Sequence, residues 1–483
     1  MSYKNITFGY ASAEAESSEK PELLLDGYFD PHGYVQSIMK DRYFIILGHK
    51  GTGKTSLGKH FVLSSHNYRV FSTHILLDDF SHKLLKRVST ISGLDDKSKF
   101  RAGWKQLLWL LVFQSYSKDQ FLTQSTLIQT ILREISVDKL GQNISLNSIL
   151  SLIRKLSIDI SAYDVYKISL SISGKNGKKM TWSDLVTSIE SNLHNMPKPQ
   201  SMHYIFIDGL DDIVTFRDLR MSAFAALLNE VRYINNLLNR YNMNTKIILL
   251  FRTDIYELIP DANKNKLRSD YGIYISWFEV GNAKQSPLVK LANMRANLSL
   301  NEDNIDIFER YFPRKIAIGY EEHKTINYLL YYTRHTPRDF LQLLEKHKYY
   351  ANNTKTKFTH EDIEEAIKKY SREYFLPEIK DELAGLITEN DIQEIFQLMS
   401  IMRKRDFTYH DILEEAERHN LSIADGIQNI LHVLYEHSAI GHIERYSERN
   451  HITFKYRNRD SSFSIHQRIL LHKGLFKALN IRR

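Results

Sequence analysis

Eight consecutive residues, Gly48-His49-Lys50-Gly51-Thr52-Gly53-Lys54-Thr55, fit the pattern Gly-x-x-x-x-Gly-Lys-[Ser/Thr]. Glycines let a backbone wrap closely enough for successive N–H groups to point at one anion. A helix opening at the lysine adds the positive end of its dipole. In that arrangement Lys54 reaches the β- and γ-phosphates of a nucleotide, the Thr55 hydroxyl ligates Mg²⁺, and Ser56 adds a contact. Chains of this length and average composition carry the bare pattern by chance about once or twice per hundred. Its setting is more specific, because an apolar run precedes it and a helix-forming segment follows. The bland alternative is a glycine-rich turn holding an ordinary lysine.

A second group of residues supplies carboxylates. His203-Tyr-Ile-Phe-Ile-Asp208 is an apolar run ending in an acid. Such a strand delivers its carboxylate to the carboxyl edge of a parallel sheet, where ligands bind. Asp208 there would hold Mg²⁺. Gly209 and Leu210 follow, then Asp211 and Asp212, either of which could orient an attacking water. Their alternative role is a turn or cap before a helix near Val214. Arg252 follows the apolar run Lys246–Phe251 and precedes Thr253-Asp254. It could sense a γ-phosphate or serve a neighbouring subunit, or simply pair with Asp254. Arg338, in His335-Thr-Pro-Arg-Asp339, could reach the nucleotide from a helical segment. Otherwise it forms a surface Arg–Asp pair at a Pro-started helix.

The elements that must hold these residues are readable as alternating runs. Tyr43–Leu47, Arg69–Leu77, His203–Ile207 and Lys246–Phe251 predict strands. Thr55–Ser65, Trp104–Gln114, Phe121–Glu134 and Met221–Asn239 predict helices. Alternation of this kind implies an α/β fold with a parallel sheet. A lead-in occupies residues 1–40, with an acidic stretch at Ser12–Glu22 and a helix-like piece at Phe29–Met39. The core runs over 41–285 with a helical insert at about 85–200, interrupted by a polar loop at Ser173–Lys179. A helical lid covers 286–374, with a polar break at Ala351–Lys357 and a helix N-cap at Thr359. Residues 375–483 show three helical patterns, Ile392–Met402, Tyr409–Glu417 and Ile423–Tyr435. Two β-like stretches follow, Ile440–Tyr446 and His451–Tyr456, and then an amphipathic helix over about His466–Leu479. Three helices followed by two strands is the winged-helix order.

Composition narrows the chemistry. The 483 residues are 42% hydrophobic and 25% charged, enough for a large core. There is no cysteine, which excludes disulfides, thiol catalysis, cysteine-bound zinc and iron–sulfur clusters. No His-Glu-x-x-His pattern occurs among the 20 histidines. The longest strongly apolar run, Leu107–Phe113, is far short of the ~20 residues a membrane helix needs. The N-terminal residues do not resemble a secretory signal, so a cytoplasmic location is expected. The net charge is +8, and Ser438–Arg483 alone carries ten Lys/Arg against three acids. Arg445, Arg449, Lys455, Arg457 and Arg459 would lie on or beside the wing, suited to phosphate contacts. The helix that would read bases, Ile423–Tyr435, has no Lys or Arg; its polar residues are Asp425, Gln428, Asn429 and His432. Two partners remain open: nucleic acid bound without sequence preference, or a protein docked on the winged helix.

Together these residues resemble the STAND/AAA-like branch of P-loop ATPases. Ile207-Asp-Gly-Leu-Asp-Asp212 is similar to the NACHT and KAP pattern, in which a small residue follows the first aspartate. Many ATPases of this class have a glutamate immediately after that aspartate; here Gly209 stands there, so a general base must come from Asp211 or Asp212. Phe8-Gly-Tyr-Ala-Ser-Ala-Glu14 further resembles the N-terminal motif of an uncharacterised bacterial P-loop ATPase family. The resemblance implies an ATP- and Mg²⁺-dependent switch or motor that forms homo-oligomers. It also implies a separate effector protein and a role in antiviral defence. The helical insert departs from compact members. Leu-Ser-Gly-Gly and His-Arg-Asp signatures are absent from the sequence. The alternative is an ATP-binding, winged-helix DNA-binding regulator with little turnover.

Overall fold

The computed structural model describes residues 2–65, 70–77, 96–134, 157–158, 180–209, 217–318, 321–351, 357–445 and 450–481. The chain forms two compact units. One comprises His32–Gly48 and Lys54–Ile275, the other Met1–Pro31, His49–Gly53 and Ser276–Arg483.

The first unit is mixed α/β. Its strands are β1 (Ile45–Gly48), β2 (Val70–Leu76), β3 (Met202–Asp208), β4 (Thr245–Arg252) and β5 (Gly272–Tyr274). They pair in the order β2-β3-β4-β1-β5, all parallel. The runs in β1, β3 and β4 are continuously apolar because helices cover both faces of the sheet. On one face lies α1 (Lys54–Ser64), whose Phe61 ring meets Tyr204 at 5.2 Å and Phe206 at 4.9 Å. On the other, Ile45, Leu47, Ile205, Ile207, Ile247 and Leu249 share one core with α2 (Asp96–Tyr116), α3 (Trp182–Asn192) and α4 (Arg217–Arg240). From β1 the chain crosses to the far edge at β2. From β4 it returns past β1 to β5. Connections thus diverge around β1, the arrangement that leaves a binding crevice at the carboxyl ends of the strands.

The segment expected as an insert at about 85–200 turns out, where described, to cover the sheet. α2 buries Trp104, Leu107, Leu108, Leu111 and Phe113 in the same core as β1 and β3. The single helix expected at Phe121–Glu134 is two, Gln120–Thr123 and Thr126–Glu134, the first capped by Asp119. The loop at Ser173–Lys179 lies outside the described residues.

The second unit takes in the N-terminal segment. The Tyr3 hydroxyl donates to Leu344 O at 3.0 Å, and the Phe8 N–H donates to Glu345 at 2.8 Å. Gly9, at φ 138°, is required because a Cβ there would meet Arg295 Nη1 and Glu16 Oε1 at 2.1 and 2.2 Å. The helical region holds α5 (Pro287–Leu300), α6 (Pro337–His347), α7 (His360–Tyr370) and α8 (Leu376–Leu383). Thr359 and Asp362 form a reciprocal cap at the start of α7. α7 runs into α8 through one widened turn, Ser371–Phe375, just before Pro377, which lacks the N–H a regular turn would use. A hairpin of β6 (Lys315–Ile318) and β7 (Glu321–Lys324) interrupts the helices where only helix was expected.

Beyond it come α9 (Glu389–Met402), α10 (Tyr409–Arg418) and α11 (Ile427–Glu436). With them is an antiparallel sheet of β8 (Asp406–Phe407), β9 (Ile440–Arg445), β10 (Asn450–Thr453) and β11 (Arg468–Leu471), in the order β8-β11-β9-β10. The amphipathic helix expected over His466–Leu479 is not formed. Its first half is β11, which buries Ile469 and Leu471 and pairs with both β9 and β8; only Lys473–Phe476 is helical. Alternate burial of two apolar residues suits a strand as well as a helix, and the free sheet edge decides. Among the described residues no helix is long and apolar enough to cross a membrane.

Candidate functional site

In the α/β unit, Gly48 ends β1, and Lys54 and Thr55 open α1. Lys54 is only 6% exposed, and its ammonium donates to Gly48 O at 3.0 Å. Ser56 lies in the first turn of the same helix. Asp208 ends β3, with β4 between it and β1. Its Oδ1 accepts the Gly209 N–H at 2.9 Å, and its Oδ2 meets His74 Nε2 at 3.1 Å. Burial alone would raise the Asp208 carboxyl, but interactions with His74, Thr55 and the Gly209 N–H hold it below the usual carboxylate range. The geometry therefore brings together Gly48, Lys54, Thr55 and Asp208. His74, on β2, was not singled out in the sequence; a histidine in an alternating strand carries no signal that it meets an acid 134 residues away.

Arg252 ends β4 opposite Gly48 in the parallel register. Its Nε and Nη2 donate to the two oxygens of Asp254 at 3.1 and 2.7 Å. The alternative role given to it by sequence, a strand-end pair with Asp254, is thus realised. Asp211 and Asp212 lie outside the described residues.

In the second unit the loop His49–Gly53 is held by named contacts. Gly51 and Gly53 adopt φ 79° and 94°, the left-handed region that favours glycine. The Thr52 hydroxyl and N–H both donate to His49 O, at 2.8 and 3.3 Å, closing the turn. Trp277 Nε1 donates to Thr52 O at 2.9 Å. The Arg338 N–H donates to Gly51 O at 3.3 Å, and a Cβ on Gly51 would sit 3.1 Å from Arg338 Cβ. One carboxylate oxygen, Glu378 Oε1, accepts from both Lys50 Nζ at 3.1 Å and Arg338 Nη1 at 3.2 Å. Arg338 thus lies against the loop at Gly51. The Arg–Asp pair at this helix start involves a different arginine: Arg334 binds Asp339 through Nε at 2.9 Å and Nη2 at 3.1 Å. Arg334 also reaches Glu382 at 2.8 Å, and Glu382 meets His437 Nδ1 at 3.2 Å. The whole network is buried.

One further constellation has the composition of a hydrolase triad. Ser115 Oγ lies 2.8 Å from His203 Nδ1, and His203 Nε2 lies 3.3 Å from Asp119 Oδ2. Ser115 and His203 are 0% exposed and Asp119 3%. A substrate carbonyl has no approach to that serine, and Asp119 is already the cap of the helix at Gln120. The trio ties α2 to the start of β3.

The cations of the C-terminal region mostly have partners in the chain. Lys455 meets Glu436 at 3.0 Å and donates to Ser461 O at 2.8 Å. Arg457 lies over the rings of Tyr456, Phe278 and Phe454 at 5.5–5.7 Å. Arg468 pairs with Asp406, Lys477 with Glu364, and Lys473 stands over Tyr331. Arg459 is 54% exposed beside Asp460. The side chain of Arg445, and Arg449, Arg482 and Arg483 altogether, lie outside the described residues.

Residues 286–376 match the model of a FunZ-associated C-terminal helical domain. The matched stretch starts at Ser286, which caps α5, and contains α6 with Arg338. No curated protein matches the chain.

Proposed function

We propose that the chain binds and hydrolyses ATP with Mg²⁺ and uses the cycle as a switch or motor. One observation carries this reading: the Lys-Thr of a Gly-x-x-x-x-Gly-Lys-Thr segment opens a helix after one parallel strand, and the buried Asp208 ends another strand at the carboxyl edge of the same sheet. A hydroxyl and an ionised carboxylate held together are hard oxygen donors of the kind Mg²⁺ takes alongside substrate phosphates. Thr55 and Asp208 would hold the ion, which when bound neutralises charge on the β- and γ-phosphates. Gly48 through Gly53 present backbone N–H groups, and Lys54 adds a point charge. Asp211 or Asp212 orients the attacking water, and Arg338 contributes positive charge at the loop.

We read Glu389–Leu471 as a winged helix, with α9–α11 as its helices and β9–β10 as the wing. Internal partners for Lys455, Arg457, Arg468 and Lys477 favour a protein-docking role for it over a phosphate-binding one. A weak, sequence-independent nucleic-acid contact would rest on Arg459, Arg449 and Arg445. By resemblance the switch acts as a homo-oligomer beside a separate effector, in antiviral defence. The test of the core reading is direct. Lys54→Ala should abolish tight ATP binding in calorimetry, and Asp208→Ala should remove Mg²⁺-dependent turnover. ATP binding of equal strength in Lys54→Ala would overturn the assignment.

A further inference from the structure

We infer that His74 is a positioning residue for Asp208: it fixes the carboxylate at the angle from which Asp208 and Thr55 together can hold a divalent cation. The inference rests on the nucleotide reading above and adds to it a residue that no sequence motif marks.

The geometry is specific. His74 and Asp208 side chains are 2% and 4% exposed, and Nε2 meets Oδ2 at 3.1 Å. Oδ1 is fixed separately by the Gly209 N–H at 2.9 Å. A carboxylate held at both oxygens cannot rotate about its terminal torsion, which is otherwise broad. His74 Nδ1 is buried and has no hydrogen-bond partner among the described residues. A bare ring nitrogen is the less costly occupant of such a place than an N–H, so the proton belongs on Nε2, as a donor to Asp208. The ring is itself wedged. Gly58, one turn after Lys54 on α1, leaves the space it fills: a Cβ at Gly58 would lie 2.5 Å from His74 Cδ2 and 3.0 Å from Nε2. The glycine on the phosphate-loop helix, the histidine on β2 and the aspartate on β3 therefore act as one stack, with Thr55 closing it. Partners of this outer kind commonly change metal affinity by about 10–100-fold when removed.

The stack can be disturbed in two independent ways. His74→Ala deletes the donor. Gly58→Ala leaves every polar atom in place and pushes the ring aside. His74→Gln restores an N–H donor near the Nε2 position. Binding of a fluorescent ATP analogue is read by anisotropy as Mg²⁺ is titrated, and again in EDTA. His74→Ala and Gly58→Ala should each raise the Mg²⁺ concentration for half-maximal binding about tenfold. His74→Gln should stay within about threefold of the parent chain. Binding in EDTA should be the same in all four proteins. Should His74→Ala fail to fold, Gly58→Ala and His74→Gln carry the comparison. An unchanged Mg²⁺ requirement in Gly58→Ala, or an equal loss with and without Mg²⁺ in every variant, overturns the positioning role while leaving the nucleotide site intact. A parent chain that binds no nucleotide overturns both.

Discussion

At the scale of single residues, the loop's cations share their charge with a nearby acid. Glu378 offers one oxygen to both Lys50 and Arg338. It cancels positive charge beside the loop, and it is mostly buried, so the pair is not a screened surface bridge. Glu378→Gln should tighten ATP binding by about three- to tenfold, because two cations lose their carboxylate. The same change should lower the unfolding midpoint slightly. Calorimetry and a thermal melt on one sample check both, and weaker binding in Glu378→Gln would count against the arrangement. A second prediction concerns protons. Burial holds the His203 imidazole down to about 4 despite its Asp119 neighbour, and burial does the same for His347. Unfolded histidine titrates near 6.5, so between about pH 4 and 6.5 the unfolded chain binds more protons than the folded one. Stability is then full above about pH 6.5 and lost as pH falls through the window, by about 3 kcal/mol for each histidine. Melting temperatures recorded from pH 7 to 4.5 should fall steadily, and His203→Gln should flatten part of the slope. A level profile would contradict the burial argument.

At the scale of elements, the Arg334–Asp339–Glu382–His437 network joins the start of α6 to α8 and to the turn after α11. Removing one member of a buried ionic group leaves its partners charged and unpaired, at a cost of about 3–5 kcal/mol. Arg334→Leu should therefore lower the unfolding midpoint sharply. Removing the exposed Lys315–Glu322 bridge, with both side chains more than 60% exposed, should shift it hardly at all. Comparable melts for the two variants would show that the network carries little. Much of this layer was legible in the sequence. The apolar runs at β1, β3 and β4 announce buried parallel strands, and the Thr359/Asp362 cap announces α7. What was not legible depended on tertiary partners. β11 reads as helix in the sequence because Ile469 and Leu471 alone do not fix a period, and only pairing with β9 and β8 does. β6–β7 was missed because Glu321-Glu-His-Lys324 is polar and exposed, with no apolar face to reveal alternation. Of the residues proposed for the site, Lys54, Thr55 and Asp208 are marked in the sequence by motif and strand end. His74 and Glu378 did not, because each acts only through a residue far away in sequence.

At the scale of the whole molecule, the net charge of +8 invites a polyanion, but the folded chain places several C-terminal cations on its own acids and rings. Reversing Lys455 or Arg457 would therefore disturb packing as well as charge, and Arg459→Glu is the cleaner probe of nucleic-acid contact. Anisotropy with labelled duplex at low salt should show weak binding that Arg459→Glu reduces and that salt weakens steeply, by about 0.9 log units per log salt for each phosphate neutralised. Absence of binding at low salt would leave protein docking as the proposed role of the C-terminal region. All of this is secondary to whether nucleotide binds at all. The deciding measurement is calorimetric titration of ATP into the intact chain, with Mg²⁺ and with EDTA, beside Lys54→Ala. ATP should bind the parent chain saturably, more tightly with Mg²⁺, and binding should disappear in Lys54→Ala. No heat of binding to the parent chain, or the same isotherm in Lys54→Ala, would contradict nucleotide binding at this site.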